Sequence, residues 1–96
     1  MSSQIINMAK GTDVASTAAM TLGSGGNYFD ITGTTTITSI TAKQAGTIVV
    51  LQFDGVLTFT DGSNLILAGN FTTSANDTIT LISDGTNWHE MARSAN

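Results

Sequence analysis

Few residues in this chain carry reactive chemistry. His89 is the single histidine, so a triad or a histidine general base would have to use it. Trp88 and Glu90 flank it and, on a strand, point to the opposite face. No G-x-S-x-G nucleophile elbow accompanies it. A half-exposed strand histidine is therefore the preferred reading. Seven carboxylates raise the question of a glycosidase, which needs an Asp/Glu pair across a cleft. Asp54, Asp61, Asp77 and Asp84 instead fall where turns are expected. There a carboxylate serves by accepting hydrogen bonds from nearby backbone. There is one glutamate, and one glutamate among turn aspartates does not form an acid/base pair.

Metal and cofactor chemistry is equally thin. With no cysteine, a thiolate zinc site and a disulfide framework are both excluded. DGSN (61–64) and DGTN (84–87) resemble calcium loops in outline. Neither continues into the D-x-D-x-D-G pattern with a distant glutamate, so both are read as turns. GSGG (23–26) has no lysine or helix behind it and is a flexible junction, not a phosphate loop. Two N-x-T matches, at Asn70 and Asn76, are chance in a chain rich in Asn and Thr. Trp88 could be a stacking platform for a sugar, but after a D-G-T-N turn it reads better as a core plug. No catalytic residue and no cofactor is assigned.

Composition bounds the remaining possibilities. Ninety-six residues make one domain, and a domain of that size is marginal alone. Without disulfide or metal, oligomerisation is the common remaining device. Charged residues are 10% of the chain, against about 25% in an ordinary domain, while hydrophobic residues reach 41%. A surface so poor in charge is read as reserved for other subunits. The net charge of −4, with basic groups only at Lys10, Lys43 and Arg93, argues against binding a nucleic-acid backbone. No segment approaches the ~18 apolar residues of a membrane span. The N-terminal MSSQIINMAKG lacks the basic and apolar regions of a signal peptide, so synthesis in a cytoplasm without general export is expected.

The elements that would position these groups are strands. Residues 1–20 are weakly patterned, and an extended arm is expected there. Its apolar residues Ile5, Ile6, Met8 and Val14 would contact another protein, or a first edge strand would pack on the chain's own sheet. Residues 21–96 form the β domain. Phe29 and Ile31 alternate with polar neighbours. Ile37 and Ile40 stand three apart, which suggests a bulge or corner. TIVVLQF (47–53) is the strongest strand, apolar on both faces, so both must be covered. VLTFT (56–60), TITLIS (78–83) and NWHEMAR (87–93) follow. Asp54-Gly55, Asp61-Gly62 and Asp84-Gly85 supply hairpin turns. The fold class is all-β: a small antiparallel sandwich, barrel or prism built as a meander of short hairpins.

One thin sheet of this length cannot hide the Ile48/Val50 face together with Ile66 and Ile82. The edge lysines and prolines that usually protect a sheet are missing too. Copies around a symmetry axis would solve both problems, although these residues do not choose between two and three subunits. Ile48, Val50, Phe53, Phe59, Ile82 and Trp88 are the expected core and subunit-contact residues.

Three segments in order, ITGTTTITSI (31–40), GTIVVLQFDGVLTFTDGSNLIL (46–67) and DTITLISDGTNWHEMARS (77–94), resemble a β domain of tailed-bacteriophage virion proteins. The likeness covers roughly residues 18–94. It implies an intertwined homotrimer located in the virion, assembled in the host cytoplasm, with no catalytic residue. In fibres such a domain caps a longer chain. Here it begins about twenty residues from the N-terminus and makes up the chain, which suits a capsid decoration, or cement, protein whose arm grips the head shell. The implied partners are the major capsid protein or another virion protein. A head- or tail-fibre receptor-binding module, with Trp88, Tyr28 and loop asparagines recognising a host surface glycan, is the alternative.

Overall fold

The computed structural model describes residues 8–96, and the contacts expected of Ile5 and Ile6 lie outside it. The described elements are all strands: β1 (Val14–Ala15), β2 (Ala19–Met20), β3 (Tyr28–Thr32), β4 (Ser39–Ile40), β5 (Ile48–Phe53), β6 (Thr58–Phe59), β7 (Leu65–Ile66), β8 (Phe71–Thr72), β9 (Thr78–Ser83) and β10 (Trp88–Ser94). Six of them form one sheet in the order β1-β3-β5-β9-β10-β7. β2 pairs with β4, and β6 with β8, in two smaller sheets.

Period-two patterning sorts the large sheet into an inner and an outer face. Val49, Leu51 and Phe53 on β5, and Ile79 and Leu81 on β9, are fully buried. They meet Phe29, Ile31, Ile37, Phe59 and Leu65 in a single core. Phe53 centres an aromatic cluster, with ring centroids 5.8 Å from Phe59 and 5.9 Å from Phe71, the latter edge-on. Tilted and edge-on pairs are the favoured arrangements for aromatic rings. Each such side chain contributes about 1.5–3 kcal/mol by leaving water.

The connectivity differs from a meander of hairpins. β1, β3 and β5 lie parallel, as do β2 and β4, so the chain coils between the large sheet and a small one and stacks each turn on the last. Val14 pairs with Ile31, and Ile31 with Phe53, at one level of this coil; Met20 pairs with Ile40 at the next corner. Ile37 and Ile40, both buried, sit on either side of such a corner, which explains their spacing of three. Among the named strands, the antiparallel pairs are β5/β9, β9/β10 and β6/β8. The physical reason is that the segments between the strands of the large sheet carry buried residues of their own, among them Met20, Ile37, Ile40, Leu57 and Phe59, which must reach a second layer. A corner achieves this, whereas a tight hairpin would return the chain to the same sheet.

The Asp-Gly junctions accordingly differ among themselves. Gly62 (φ 128°) and Gly85 (φ 99°) adopt the left-handed conformation, and the second closes the β9–β10 hairpin. Gly55 does not. Asp54 passes its N–H to the Ile31 carbonyl, and the chain leaves the sheet there toward β6.

Of the segment expected as an arm, residues 9–20 run along the chain's own sheets, which is the edge-strand arrangement. Gly11 donates to the Tyr28 carbonyl, β1 pairs with β3, and Met20 is buried. Ala9 lies so close to Gly26 that a Cβ at position 26 would stand 2.2 Å from the Ala9 carbonyl oxygen. Only glycine fits there without movement.

Candidate functional site

The charged and polar side chains of the described residues are arranged around turns and strand ends. Asp84 opens the β9–β10 turn, where one carboxylate oxygen accepts the backbone N–H groups of Thr86 (2.9 Å) and Asn87 (2.7 Å). The other lies 2.8 Å from Nε2 of His89. The Asn87 amide, then the imidazole and the Thr86 amide, hold the Asp84 carboxyl down at about 2. It is thus an ionised acceptor, and His89 donates through Nε2. The pair is superficially like two-thirds of a triad. Both members are nearly half exposed, however, and Asp84 is already occupied by its own turn.

Asp77 does the same work at the start of β9. It accepts from the Asn96 backbone N–H (2.7 Å) and from the Ser74 amide and hydroxyl. These contacts, the Asn96 amide foremost, lower its pKa despite burial. Glu90 forms a two-point pair with Arg93 at 2.7 Å and accepts the Ala68 amide, so its pKa is also lowered, with Arg93 the main cause. Arg93 in turn donates to the Gly69 carbonyl and lies 4.6 Å from the Phe71 ring centroid, clamping the β7–β8 connection to β10. Nothing in the sequence pattern signals that clamp, since residues 69–71 and 93 are brought together only by the coil.

Inside, polar groups bridge layers. The buried Thr73 hydroxyl donates to the Gly55 carbonyl (2.7 Å) and accepts from the Leu57 N–H (3.1 Å). Asn64 joins both backbone groups of Ile40. The Ser83 hydroxyl donates to the Lys43 carbonyl and accepts from Gly85. No buried side-chain polar atom among the described residues lacks a partner.

A cleft and the grouping of ligating side chains are the remaining places where a ligand could sit. A shallow cleft of about 550 Å³ is lined by Ser24, Gly25, Gly26, Asn27, Lys43, Gln44 and neighbours. Its one cation, Lys43, donates to the Gly23 carbonyl at 3.1 Å. Among the described residues, no three of His, Asp or Glu converge in a manner that would hold a metal.

The residues singled out by sequence divide into two groups. Phe53, Phe59 and Trp88 are fully buried core, and the Trp88 indole N–H reaches the Thr41 carbonyl at 3.3 Å. Trp88 is thus a plug, with no face free for a sugar. Ile48, Val50 and Ile82 lie on the outer face of the large sheet. Ile48 is exposed and the other two are half-buried. Val14 packs against the core from β1, and Met8 is half-buried. Met91 was not anticipated. A register shift between Glu90 and Ala92 places it at a bulge, 55% exposed.

No family model, no curated protein and no solved structure matches the chain.

Proposed function

We propose that this chain is a non-enzymatic structural protein of a tailed-phage particle, a capsid decoration protein that stands on the head shell as a homotrimer. The observation that carries the structural role is the use made of its polar side chains. Asp61, Asp77, Asp84 and Glu90 each accept backbone N–H groups, and Arg93, Asn64, Thr73 and Ser83 tie one layer or loop to another. Groups that could do chemistry are held in place as fasteners. A carboxylate locked to its own turn is a poor general acid or base, because it cannot approach a substrate without undoing the turn.

The phage setting draws support from the likeness of the three segments to virion β domains, and from a surface unusually poor in charge. The glycan-binding alternative loses one of its two aromatic residues, since Trp88 is fully buried while Tyr28 is half-buried. Contact with the shell is assigned to the N-terminal segment. The edge pairing of β1 limits how much of it is free for that task, so the informative cut removes residues 1–8 and leaves β1 in place.

Co-sedimentation with heads stripped of the protein tests this reading. The full chain should pellet with the heads. The chain lacking residues 1–8 should keep its strand spectrum and solution mass but stay in the supernatant. Undiminished pelleting of that truncation, or hydrolysis of host polysaccharide by the full chain, would overturn the assignment.

A further inference from the structure

Three Asp-Gly pairs stand in the chain, at 54–55, 61–62 and 84–85, and there is no Asn-Gly pair. Asp-Gly leaves an aspartate open to attack by its own main chain. Glycine has no side chain to shield its amide nitrogen or to restrict the rotation that carries it to the carboxyl carbon. All three aspartates are exposed, so access to water does not separate them. Hydrogen bonding does.

At two of the pairs both reacting groups are engaged. The Asp61 carboxylate accepts the Leu67 N–H at 2.9 Å, and the Gly62 N–H donates to the Leu65 carbonyl at 2.9 Å. The Asp84 carboxylate holds the Thr86 and Asn87 amides and His89, while the Gly85 N–H donates to the Ser83 hydroxyl at 3.0 Å. At 54–55 the pattern is reversed. Among the described residues, the Asp54 carboxylate, the Asp54 carbonyl and the Gly55 N–H have no hydrogen-bond partner. The bonds lie just outside that peptide unit. The Asp54 N–H reaches the Ile31 carbonyl at 3.0 Å, and the Gly55 carbonyl accepts the Thr73 hydroxyl at 2.7 Å. A unit pinned at both ends and unbonded between them can turn about ψ of residue 54 and φ of residue 55 with both pins kept. Glycine tolerates the φ values through which it turns.

We infer that Asp54-Gly55 is the chain's site of spontaneous isoaspartate formation, a covalent modification where β5 ends. The Asp54 carboxylate takes up a proton from solvent, and the Gly55 nitrogen attacks its Cγ. A new C–N bond forms. One carboxyl oxygen leaves as water, carrying the solvent proton and the amide proton. Water then opens the succinimide ring. Breaking the new bond restores aspartate, whereas breaking the original Asp54–Gly55 peptide bond leaves the main chain running through Cβ and Cγ. No reactant beyond water is consumed. The product keeps its negative charge and lengthens the chain by one carbon between the Ile31 and Thr73 pins.

The folded full chain, held near neutral pH in heavy-oxygen water, gains one heavy oxygen at each passage through the ring. Mass spectrometry of its peptides reads each aspartate separately. A hydrogen bond to a charged group is worth about a factor of ten or more in an equilibrium. Position 54 should therefore label at least about tenfold faster than 61 or 84. In urea, where those bonds are gone, the three should label at similar rates. A Cβ on residue 55 would meet nothing nearer than 3.8 Å, and its φ lies outside the left-handed region. Gly55→Ala thus fits the fold, and it should suppress labelling at 54. Comparable rates at the three sites of the folded chain would overturn the inference, as would a preference for 54 that persists in urea. Undiminished labelling in Gly55→Ala would do the same. So would a folded chain unlabelled at 54 after the unfolded chain has labelled fully, because the two pins would then hold the unit still.

Discussion

The two faces of the large sheet are made from nearly the same residues and meet opposite fates. Along β5 the inner face carries Val49, Leu51 and Phe53, fully buried, and the outer face carries Ile48, Val50 and Gln52, all partly in water. β9 repeats the contrast, with Ile79 and Leu81 inside and Thr78, Thr80 and Ile82 outside. β-branched residues occupy both sides, so propensity for the strand does not separate them. What separates them is cover. Among the described residues, the chain coils two small sheets over one face and none over the other. A fold can thus be well satisfied internally while leaving apolar side chains such as Ile48 and Ile66 in water.

The sharpest way to break this contrast is to truncate one residue from each side of the same strand. Phe53→Ala opens a cavity amid Phe59 and Phe71 and should cost about 3–5 kcal/mol in urea unfolding. Because that contact lies within one chain, the loss should not vary with protein concentration. Val50→Ala should cost less, and its cost should grow with concentration over the range in which copies associate. Equal, concentration-independent losses at both positions would erase the distinction between the faces.

Polar substitutions sharpen it at a smaller scale. Thr73→Val removes a buried hydroxyl and leaves the Gly55 carbonyl and the Leu57 N–H without that partner, for an expected loss of about 1–3 kcal/mol. The same change at Thr80, on the outer face, should move stability by no more than about 0.5 kcal/mol. Paired denaturation curves decide the matter. A Thr73→Val variant as stable as wild type would show that the inner bridge is dispensable.

Much of this contrast was legible in the sequence, for a definite reason. Alternation along TIVVLQF and TITLIS specifies which residues share a face, and the excess of apolar residues on both faces of β5 already implied a second cover. Trp88 after its D-G-T-N turn was readable as a plug, and the Asp-Gly turn before it as a hairpin. The coil was not readable. Its connections differ in length at every turn, from Ala15 to Ala19, from Thr32 to Ser39 and from Phe53 to Thr58, so no period marks the stacked strands. Parallel neighbours such as Val14, Ile31 and Phe53 are set by packing, not by local turn chemistry. The Arg93–Glu90 clamp and the bulge at Met91 depend on that packing and stayed hidden with it.

The smallest effect concerns the rim of the outer face, where Asp84 holds the β9–β10 turn and His89 stands between Ile82 and Ile66. In the unfolded chain an aspartate titrates near ~3.9, whereas in the fold Asp84 is lowered to about 2. A depressed carboxyl stabilises the folded state in full above the unfolded value, and that contribution fades as pH falls from ~4 through about 2. Asp84→Asn keeps an acceptor for the Thr86 and Asn87 amides but has no proton to gain. The variant should therefore show a shallower fall in stability between pH 4 and 2 than wild type. Asp77 and Glu90, whose pKa values are also lowered, should continue to give the variant an acid slope of the same sign. Urea midpoints across that window measure the difference. Parallel curves for the two proteins would mean that Asp84 fastens its turn no more strongly when ionised than when neutral. The fastening would then reside in turn geometry alone, as it does for uncharged Asn64 on the inner side of the molecule.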